Sequence, residues 1–223
     1  MRKGDLTGTQ PTAPRRVYRA HRERQRRRIL DSAERLFDLR GMDRVTMAEI
    51  ISEGGFQAAT LYQYFANKDE IVWALVGDAI AAYAAEAEKV IASVPGPALA
   101  KIKALLEHMA EELFHHPARV RLMAQFDAIY ARDWSAERLV HLEQDIMPRG
   151  FARLTELIQT GIADGSLRPD LNPDLTMHSV LNAAIGAQRR LASLAGRAEA
   201  EYGQSIDSLF REAIRVILLG LGA

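Results

Sequence analysis

The sequence predicts an all-α fold in which a small N-terminal head of three helices precedes a larger helical bundle, with about nine helices in all. Two observations support this prediction. Apolar residues recur at intervals of three and four along most of the chain, which is the helical period. Breaks rich in proline and glycine, such as residues 95–97, divide the chain into segments of helical length. The nearest approach to a strand, residues 45–47, is too short to form one.

The first helix is predicted from about His21 to Arg40, because this segment carries an apolar stripe at helical spacing. The stripe consists of Ile29, Leu30, Ala33, Leu36 and Phe37.

A short second helix follows. Thr46 and Glu49 have the spacing of a capping box, in which each side chain accepts from the backbone of the other residue. Gly54 and Gly55 end the helix, because glycine adopts the left-handed conformation at little cost.

The third helix runs from Gln57 to about Phe65. The helical period places Ala58, Leu61 and Phe65 on one side, which predicts a buried face. Ala59, Thr60 and Gln63 fall on the other side and form a surface of small, hydroxyl and amide groups. This pattern is typical of the second helix of a helix-turn-helix, which enters the major groove of DNA.

The remaining helices are predicted over residues 68–93, 98–115, 118–131, 135–163, 173–194 and 200–219, with a kink at Pro148. Asn67 and Glu70 form a second capping pattern before the first of them. The domain prediction is a basic flexible arm over residues 1–20, a helix-turn-helix domain over residues 21–67 and a second domain over residues 68–223.

The formal net charge of zero conceals an uneven distribution. Residues 1–28 contain ten lysines and arginines against two acidic residues, so the remainder of the chain carries the balancing negative charge. A basic segment on an acidic body favours binding to a polyanion, through phosphates or an A·T-rich minor groove. The alternative is a solubilising or processed tail.

Several classes of function lack their sequence signals. The chain has no cysteine, no apolar run long enough to span a membrane and no secretory signal, so we expect a cytoplasmic protein without a membrane partner. It also lacks a recognisable catalytic motif, which predicts that it is not an enzyme and has no cofactor. His115 and His116 are adjacent and point apart on a helix, so no metal site is predicted. The pair Glu111 and Glu112 is expected to be solvated.

The segment from Arg28 to Trp73 resembles the tetracycline-repressor (TetR/AcrR-like) family of bacterial transcription regulators. The resemblance depends on the lead-in ILDSAERLFDLRGMDRVTM, the Gly55-Phe56 turn, and the run TLYQYF at residues 60–65 followed by Asn67-Lys68. Two positions depart from the family pattern. Ile51 replaces the usual alanine, and Gln57 replaces the usual serine or threonine cap.

The residues of the head divide by chemistry into two expected groups of DNA contacts, since amides pair with adenine edges and hydroxyl or ammonium groups bind phosphates. The predicted base-reading residues are Gln57, Ala58, Ala59, Thr60 and Gln63. The family positions that commonly touch phosphates are Thr46, Tyr62, Tyr64 and Lys68, although Tyr64 has partial burial against the first helix as an equal alternative. The predicted arm contacts are Arg15, Arg16, Arg19 and Arg22.

The resemblance also implies a homodimer formed by the last two helices and a ligand cavity in the larger domain. The predicted dimer residues are Leu181, Ala184, Ile185, Gln188, Phe210, Ala213, Ile214 and Ile217. The candidate cavity residues, chosen because they are aromatic, methionine or histidine, are His108, Met109, Phe114, Met123, Phe126, Tyr130, Trp134, His141, Met147, Phe151 and His178. For both sets the alternative is ordinary packing in the protein core.

Taken together, these features predict a dimeric, sequence-specific DNA-binding regulator, by default a repressor that leaves a palindromic DNA operator when a small, largely apolar effector binds. One alternative is a sequence-tolerant architectural DNA-binding protein that depends on its basic arm. A helical enzyme acting on small molecules is a third possibility, and the absence of a catalytic constellation argues against it.

Overall fold

The computed structural model describes the backbone of residues 13–130 and 148–222, and the side chains of residues 17–129 and 153–222. Within these ranges the chain forms ten α-helices, one 3₁₀ turn over Ala195–Arg197 and an isolated bridge between Leu167 and Gly222. The all-α prediction is therefore confirmed. No helix in the described ranges is both long and apolar enough to cross a membrane.

The head contains helices α1 (Ala13–Arg40), α2 (Met47–Gly54) and α3 (Ala58–Tyr64). The predicted capping box at the start of α2 is present: the Glu49 N–H donates to Thr46 Oγ1 at 3.3 Å, and the Thr46 N–H donates to Glu49 Oε2 at 2.8 Å. Gly55 ends α2 with φ of 62°, a conformation that favours glycine. Gly55 therefore forms the turn that orients α3 relative to α2.

The bundle consists of seven helices in the described ranges. Their bounds are α4 Lys68–Ser93, α5 Ala98–His115, α6 Pro117–Tyr130, α7 Pro148–Ala163, α8 Pro173–Leu194, α9 Ala198–Tyr202 and α10 Ile206–Leu221. The predicted bounds of α4, α5 and α8 are confirmed to the residue.

Two helix predictions need correction. The first helix begins at Ala13, eight positions before the predicted start at His21. Pro14 lies in its first turn, where proline is tolerated, and no residue from Arg15 to Ala20 breaks a helix. The predicted last helix over residues 200–219 is two helices. Gly203, with φ of 64°, ends α9, and the Ser205 side chain accepts from the Ser208 N–H to begin α10. The predicted start of a helix at Ser135 lies outside the described residues, so the kink at Pro148 stays a prediction.

Two apolar cores hold the chain together. One lies inside the head and contains residues of α1, α2 and α3, but it extends along α4 to Val76 and includes Leu122 and Phe126 of α6. The other joins α5, α7, α8 and α10. Because α4 and α6 contribute to both parts, the head does not pack independently of the bundle.

Candidate nucleic-acid interface and ligand cavity

Helix α3 presents one face to the core of the head and the opposite face to the outside. Leu61 and Phe65 are buried, as predicted. Gln57, Ala59 and Gln63 are exposed, and Thr60 is half-buried. Ala58 was expected on the buried side and is exposed instead, because it is the first residue of the helix and lies beyond the packed core.

The start of α3 has no side-chain cap. Gln57 occupies the N-cap position, and its side chain makes no capping hydrogen bond. The departure from the usual serine or threonine therefore leaves the amide available for another partner. Gln63 makes no hydrogen bond within the described part of the chain, so two amide groups stand on the exposed face of α3.

Three of the four predicted phosphate-contacting residues have partners inside the head. Lys68 Nζ donates to the carbonyl oxygens of Met42 at 2.9 Å and Asp43 at 3.2 Å, which ties α4 to the loop before α2. The Thr46 hydroxyl takes part in the capping box. Tyr64 is half-buried, with the Arg22 guanidinium 5.9 Å from its ring centroid. Tyr62, by contrast, is 52% exposed.

Glu49 of the capping box also links α2 to α1 through an ion pair. Arg40 Nη1 lies 2.7 Å from Glu49 Oε1. The hydrogen bond from the Thr46 N–H, followed by that from the Thr46 hydroxyl, holds the pKa of Glu49 below its usual range, and Arg40 adds to this effect. Glu49 therefore remains charged and keeps the cap closed at neutral pH.

The arginines of α1 fall into two groups. Arg26 and Arg28 have partners within the protein: Arg26 contacts Asp78 Oδ2 on α4 at 3.3 Å, and Arg28 contacts the Gly54 carbonyl oxygen on α2 at 3.4 Å. Arg19 is exposed and has no partner among the residues that the structure describes, and Arg22 is exposed beside Tyr64. Arg15 and Arg16 belong to α1, but their side chains lie outside the described residues.

The comparisons with known proteins agree with this geometry. Residues 29–75, which include α2 and α3, match the family model described as bacterial regulatory proteins, tetR family. The chain belongs to the TetR family. It is accordingly a DNA-binding transcriptional regulator with a helix-turn-helix head.

The similarity to known regulators extends beyond the head. The chain is similar to the transcriptional repressor KstR2 of Mycobacterium tuberculosis, with 28% identity over 151 residues that cover 68% of this chain and 73% of the relative. The solved structure of that ketosteroid transcriptional regulator gives a TM-score of 0.63 at 22% identity and covers 89% of this chain and 95% of the other. The crystal structure of the MbdR regulator from Azoarcus sp. CIB gives a TM-score of 0.68 at 22% identity, and the match covers 89% of this chain and 100% of the other.

The larger domain of this TetR-family chain contains a cavity of about 270 Å³ between α4, α5, α6, α7 and α8. Most of the lining is aliphatic, including Ile80, Leu105, Val120, Leu181 and Ile185. Ionisable and amide groups interrupt this surface, and their lining residues are Tyr83, Glu88, Glu112, Arg119, Arg153, Gln188 and Arg189.

Among the predicted cavity residues whose side chains the structure describes, only Met109 and Met123 line this cavity. Phe126 packs in the core of the head, with its ring centroid 5.0 Å from that of Trp73. Phe114 is 60% exposed, and His178 is exposed. His108 does not line the cavity; its ring stacks on that of Tyr83, with 5.7 Å between the two ring centroids.

Trp134, His141 and Met147 lie outside the described residues, as do the side chains of Tyr130 and Phe151. His108, Phe114, Phe126 and His178 do not border this cavity. Residue type alone does not indicate which face of a helix lines it. Glu112, one of the polar lining residues, was missed because the pair Glu111 and Glu112 was expected to be solvated.

Glu112 is the clearest example. It was expected to be solvated, but it is only 7% exposed and forms an ion pair with Arg119. Arg119 Nη2 also lies 3.7 Å from Glu86 Oε2, and His108 Nε2 lies 3.7 Å from the same oxygen. Glu86, His108 and Glu112 bring their ligand atoms within 4.8 Å of one another, as a metal site would. The Arg119 guanidinium already supplies positive charge to this cluster.

The predicted dimer residues mostly face inward. Ala184, Gln188, Phe210 and Ile214 are buried within the protomer, so they offer no surface to a partner. Leu181 and Ile185 line the cavity, while Ala213 and Ile217 are half-buried. The stripes that the helical period identified on the last two helices are thus the side that packs against the bundle.

Proposed function

We propose that this chain is a homodimeric repressor that binds a palindromic operator and leaves it when a small, largely apolar molecule enters the cavity. The exposed face of α3 carries this proposal. Gln57 and Gln63 are amides without hydrogen-bond partners in the described part of the chain, and such groups pair bidentately with adenine in the major groove. Ala58 and Ala59 lie between them and allow a close approach to the bases.

Residues around α3 supply the contacts that fix its register on DNA. Tyr62 is exposed beside Gln63, and Arg19 and Arg22 extend the positive charge of the head along α1. We assign these side chains to phosphates, where they add affinity without reading sequence. We assign Lys68 a structural role instead, because its ammonium group already donates to two backbone carbonyls of the head.

A second, exposed face of the last long helices is suited to a partner subunit. On α8 this face carries Ser179, Asn182, Ala183 and Gly186, and a Cβ added to Gly186 would meet no atom of its own protomer. On α10, Val216 is 57% exposed and Leu219 is 66% exposed. Small residues allow two helices to approach closely, and exposed aliphatic side chains favour burial between two copies. Two heads joined in this way would read two half-sites about 34–36 Å apart.

Helix α6 supports the proposed link between cavity and DNA. Its residues Arg119, Val120 and Met123 line the cavity. Its neighbouring residues bind the head: Arg121 forms a bidentate pair with Asp38 at 2.6 and 2.8 Å, and Gln125 contacts the Phe37 and Met42 backbone at 3.2 and 2.7 Å. A ligand that displaces α6 would therefore move the head.

The proposal is tested by selecting bound sequences from a random pool of DNA duplexes at moderate salt. We expect recovery of an inverted repeat, which requires two equivalent heads. Tight binding without a recovered motif would instead support the architectural alternative, in which the basic segment supplies most of the contact. Because a DNA-binding regulator acts on the chromosome, we place the protein in the cytoplasm.

A further inference from the structure

The polar groups of the cavity indicate the chemistry of its ligand. Each lining arginine already contacts a carboxylate in the described part of the chain. Arg119 contacts Glu112 and Glu86, Arg189 contacts Asp127, and Arg153 lies 3.2 Å from Glu156.

Each of these arginines is therefore paired with a carboxylate. None of the described lining residues offers an unpaired positive charge to an anionic ligand. The carboxylates at Arg119 outnumber its single positive charge, so a buried carboxylate ligand would be repelled and would lose its hydration without a matching partner. Burial lowers the pKa of Arg189 to about 10, which still leaves its guanidinium protonated and paired with Asp127 at neutral pH. The cavity therefore favours an uncharged ligand.

Two uncharged side chains of the lining have polar atoms that nothing in the described residues satisfies. The Tyr83 hydroxyl makes no hydrogen bond there. Burial, followed by the charges of Glu112 and Glu86, raises the pKa of Tyr83, so the hydroxyl stays protonated and remains a donor.

Gln188 supplies the complementary acceptor. It is 8% exposed, and its Nε2 donates to the Met109 carbonyl oxygen at 2.7 Å. That contact fixes the amide orientation, because a carbonyl can only accept. The remaining atom, Oε1, has no hydrogen bond in the described part of the chain, and because Gln188 lines the cavity this oxygen can accept from a ligand.

We propose that the cavity binds an uncharged, largely apolar molecule through a hydroxyl group that accepts from Tyr83 and donates to Gln188; this identifies the ligand class for the release function proposed above and rests on it. A hydroxyl is the smallest neutral group that both donates and accepts. The aliphatic lining receives the hydrocarbon part of the molecule, and the volume of about 270 Å³ limits it to a compact skeleton near the lower end of the usual ~300–1,000 Å³ range.

Three probes that share one skeleton test this proposal at pH 7: naphthalene, which is apolar; 2-naphthol, which is neutral and hydroxylated; and 2-naphthoate, which is anionic. Equilibrium dialysis against the full-length protein measures their affinities without DNA. We expect 2-naphthol to bind about tenfold more tightly than naphthalene, the value of a well-placed hydrogen bond, and 2-naphthoate to bind most weakly.

Two variants test which side chains cause the tighter binding of 2-naphthol. Tyr83→Phe removes only the hydroxyl, so it should abolish the advantage of 2-naphthol while leaving naphthalene binding unchanged. Gln188→Met should have the same effect, with circular dichroism confirming that the bundle is intact. Tyr202→Phe is the matched control, because Tyr202 lies on α9 away from the lining.

The proposal is overturned if 2-naphthoate binds most tightly, if 2-naphthol shows no advantage over naphthalene or does not bind, or if Tyr83→Phe leaves the order of affinities unchanged. Adding 2-naphthol to the protein on its selected operator is a separate measurement. Binding of the probe without loss of DNA would contradict the release function and leave the assignment of ligand chemistry intact.

Discussion

Gln63 on α3 and Lys68 at the start of α4 are the two most informative side chains near the DNA-binding face, and they differ in what they contact. Gln63 is exposed on α3 and has no partner in the described part of the chain, whereas Lys68 binds two backbone carbonyls. For Gln63→Ala we expect a loss of preference at one base pair of the selected operator, worth about 1–3 kcal/mol, with little change in the melting temperature of the free protein. Competition binding with single-base operator variants measures this. Equal losses on operator and scrambled DNA would contradict the base-reading role.

Lys68→Met should act through the fold of the head. Its removal leaves the carbonyl oxygens of Met42 and Asp43 without their donor, so we expect a lower melting temperature together with weaker binding to all DNA sequences. Differential scanning calorimetry and binding to scrambled duplexes test the two effects. A variant with an unchanged melting temperature and uniformly weaker DNA binding would show that Lys68 acts on phosphates alone.

At the scale of elements, α5 begins with a cap that comes from elsewhere in the chain. Its N-cap residue is Pro97, which offers no side-chain cap. Asp164, just beyond α7, accepts from the Ala98 N–H at 2.9 Å, and the Ser166 hydroxyl accepts from the Leu99 N–H at 3.3 Å. The loop after α7 therefore caps α5, and it fixes the relative positions of two helices that line the cavity.

We expect Asp164→Asn to lower the melting temperature at neutral pH, because the charged cap stabilises the helix N-terminus more than a neutral amide does. Hydrogen bonds from the Ser166 side chain and then the Ala98 backbone hold the pKa of Asp164 below its usual range. A carboxyl whose pKa is lowered on folding stabilises the protein above its unfolded pKa and ceases to do so as the pH falls through its folded pKa. The difference between wild type and variant should therefore shrink as the pH falls below about 4. A difference that is constant from pH 7 to pH 3 would contradict this cap.

Local signals explain which parts of the fold could be predicted. The capping box at Thr46, the left-handed Gly55 and the boundaries of α4, α5 and α8 depend on residues that are close in sequence. The cap from Asp164 to α5 joins residues far apart in sequence, so no periodicity indicates it.

The dimer and cavity residues were hard to predict for the same reason, because they depend on contacts between distant parts of the chain. The helical spacing correctly predicted that the stripe on α8 with Ala184 and Gln188 is a packing surface. Helical spacing cannot show whether such a surface packs inside the protomer or against a second subunit. Nor does it indicate that Glu112 is buried, since this depends on the distant partner Arg119.

At the scale of the whole molecule, the proposed dimer depends on the open face of α8. Gly186→Arg adds a long charged side chain where the protomer has empty space, so we expect it to disrupt the dimer without a clash inside the subunit. Analytical ultracentrifugation should give the 24.8 kDa monomer, and operator affinity should fall by at least about tenfold because only one head binds at a time. Gly196→Arg is the matched control, since Gly196 is also exposed with open space but lies outside this face. A dimer that persists in Gly186→Arg would place the interface elsewhere.

The response of the whole molecule to ligand should depend on α6, which borders the cavity on one side and holds the head on the other. We expect the double variant Arg121→Ala, Gln125→Ala to bind the 2-naphthol probe as wild type does, because neither residue lines the cavity. The factor by which saturating probe weakens operator binding should fall from the usual 5–150-fold of coupled sites towards one. Arg190→Ala removes an exposed ion pair with Glu201 and serves as the control for loss of an arginine. Coupling that is unchanged in the double variant would mean that the signal reaches the head through α4 alone, whose first half also packs in the core of the head.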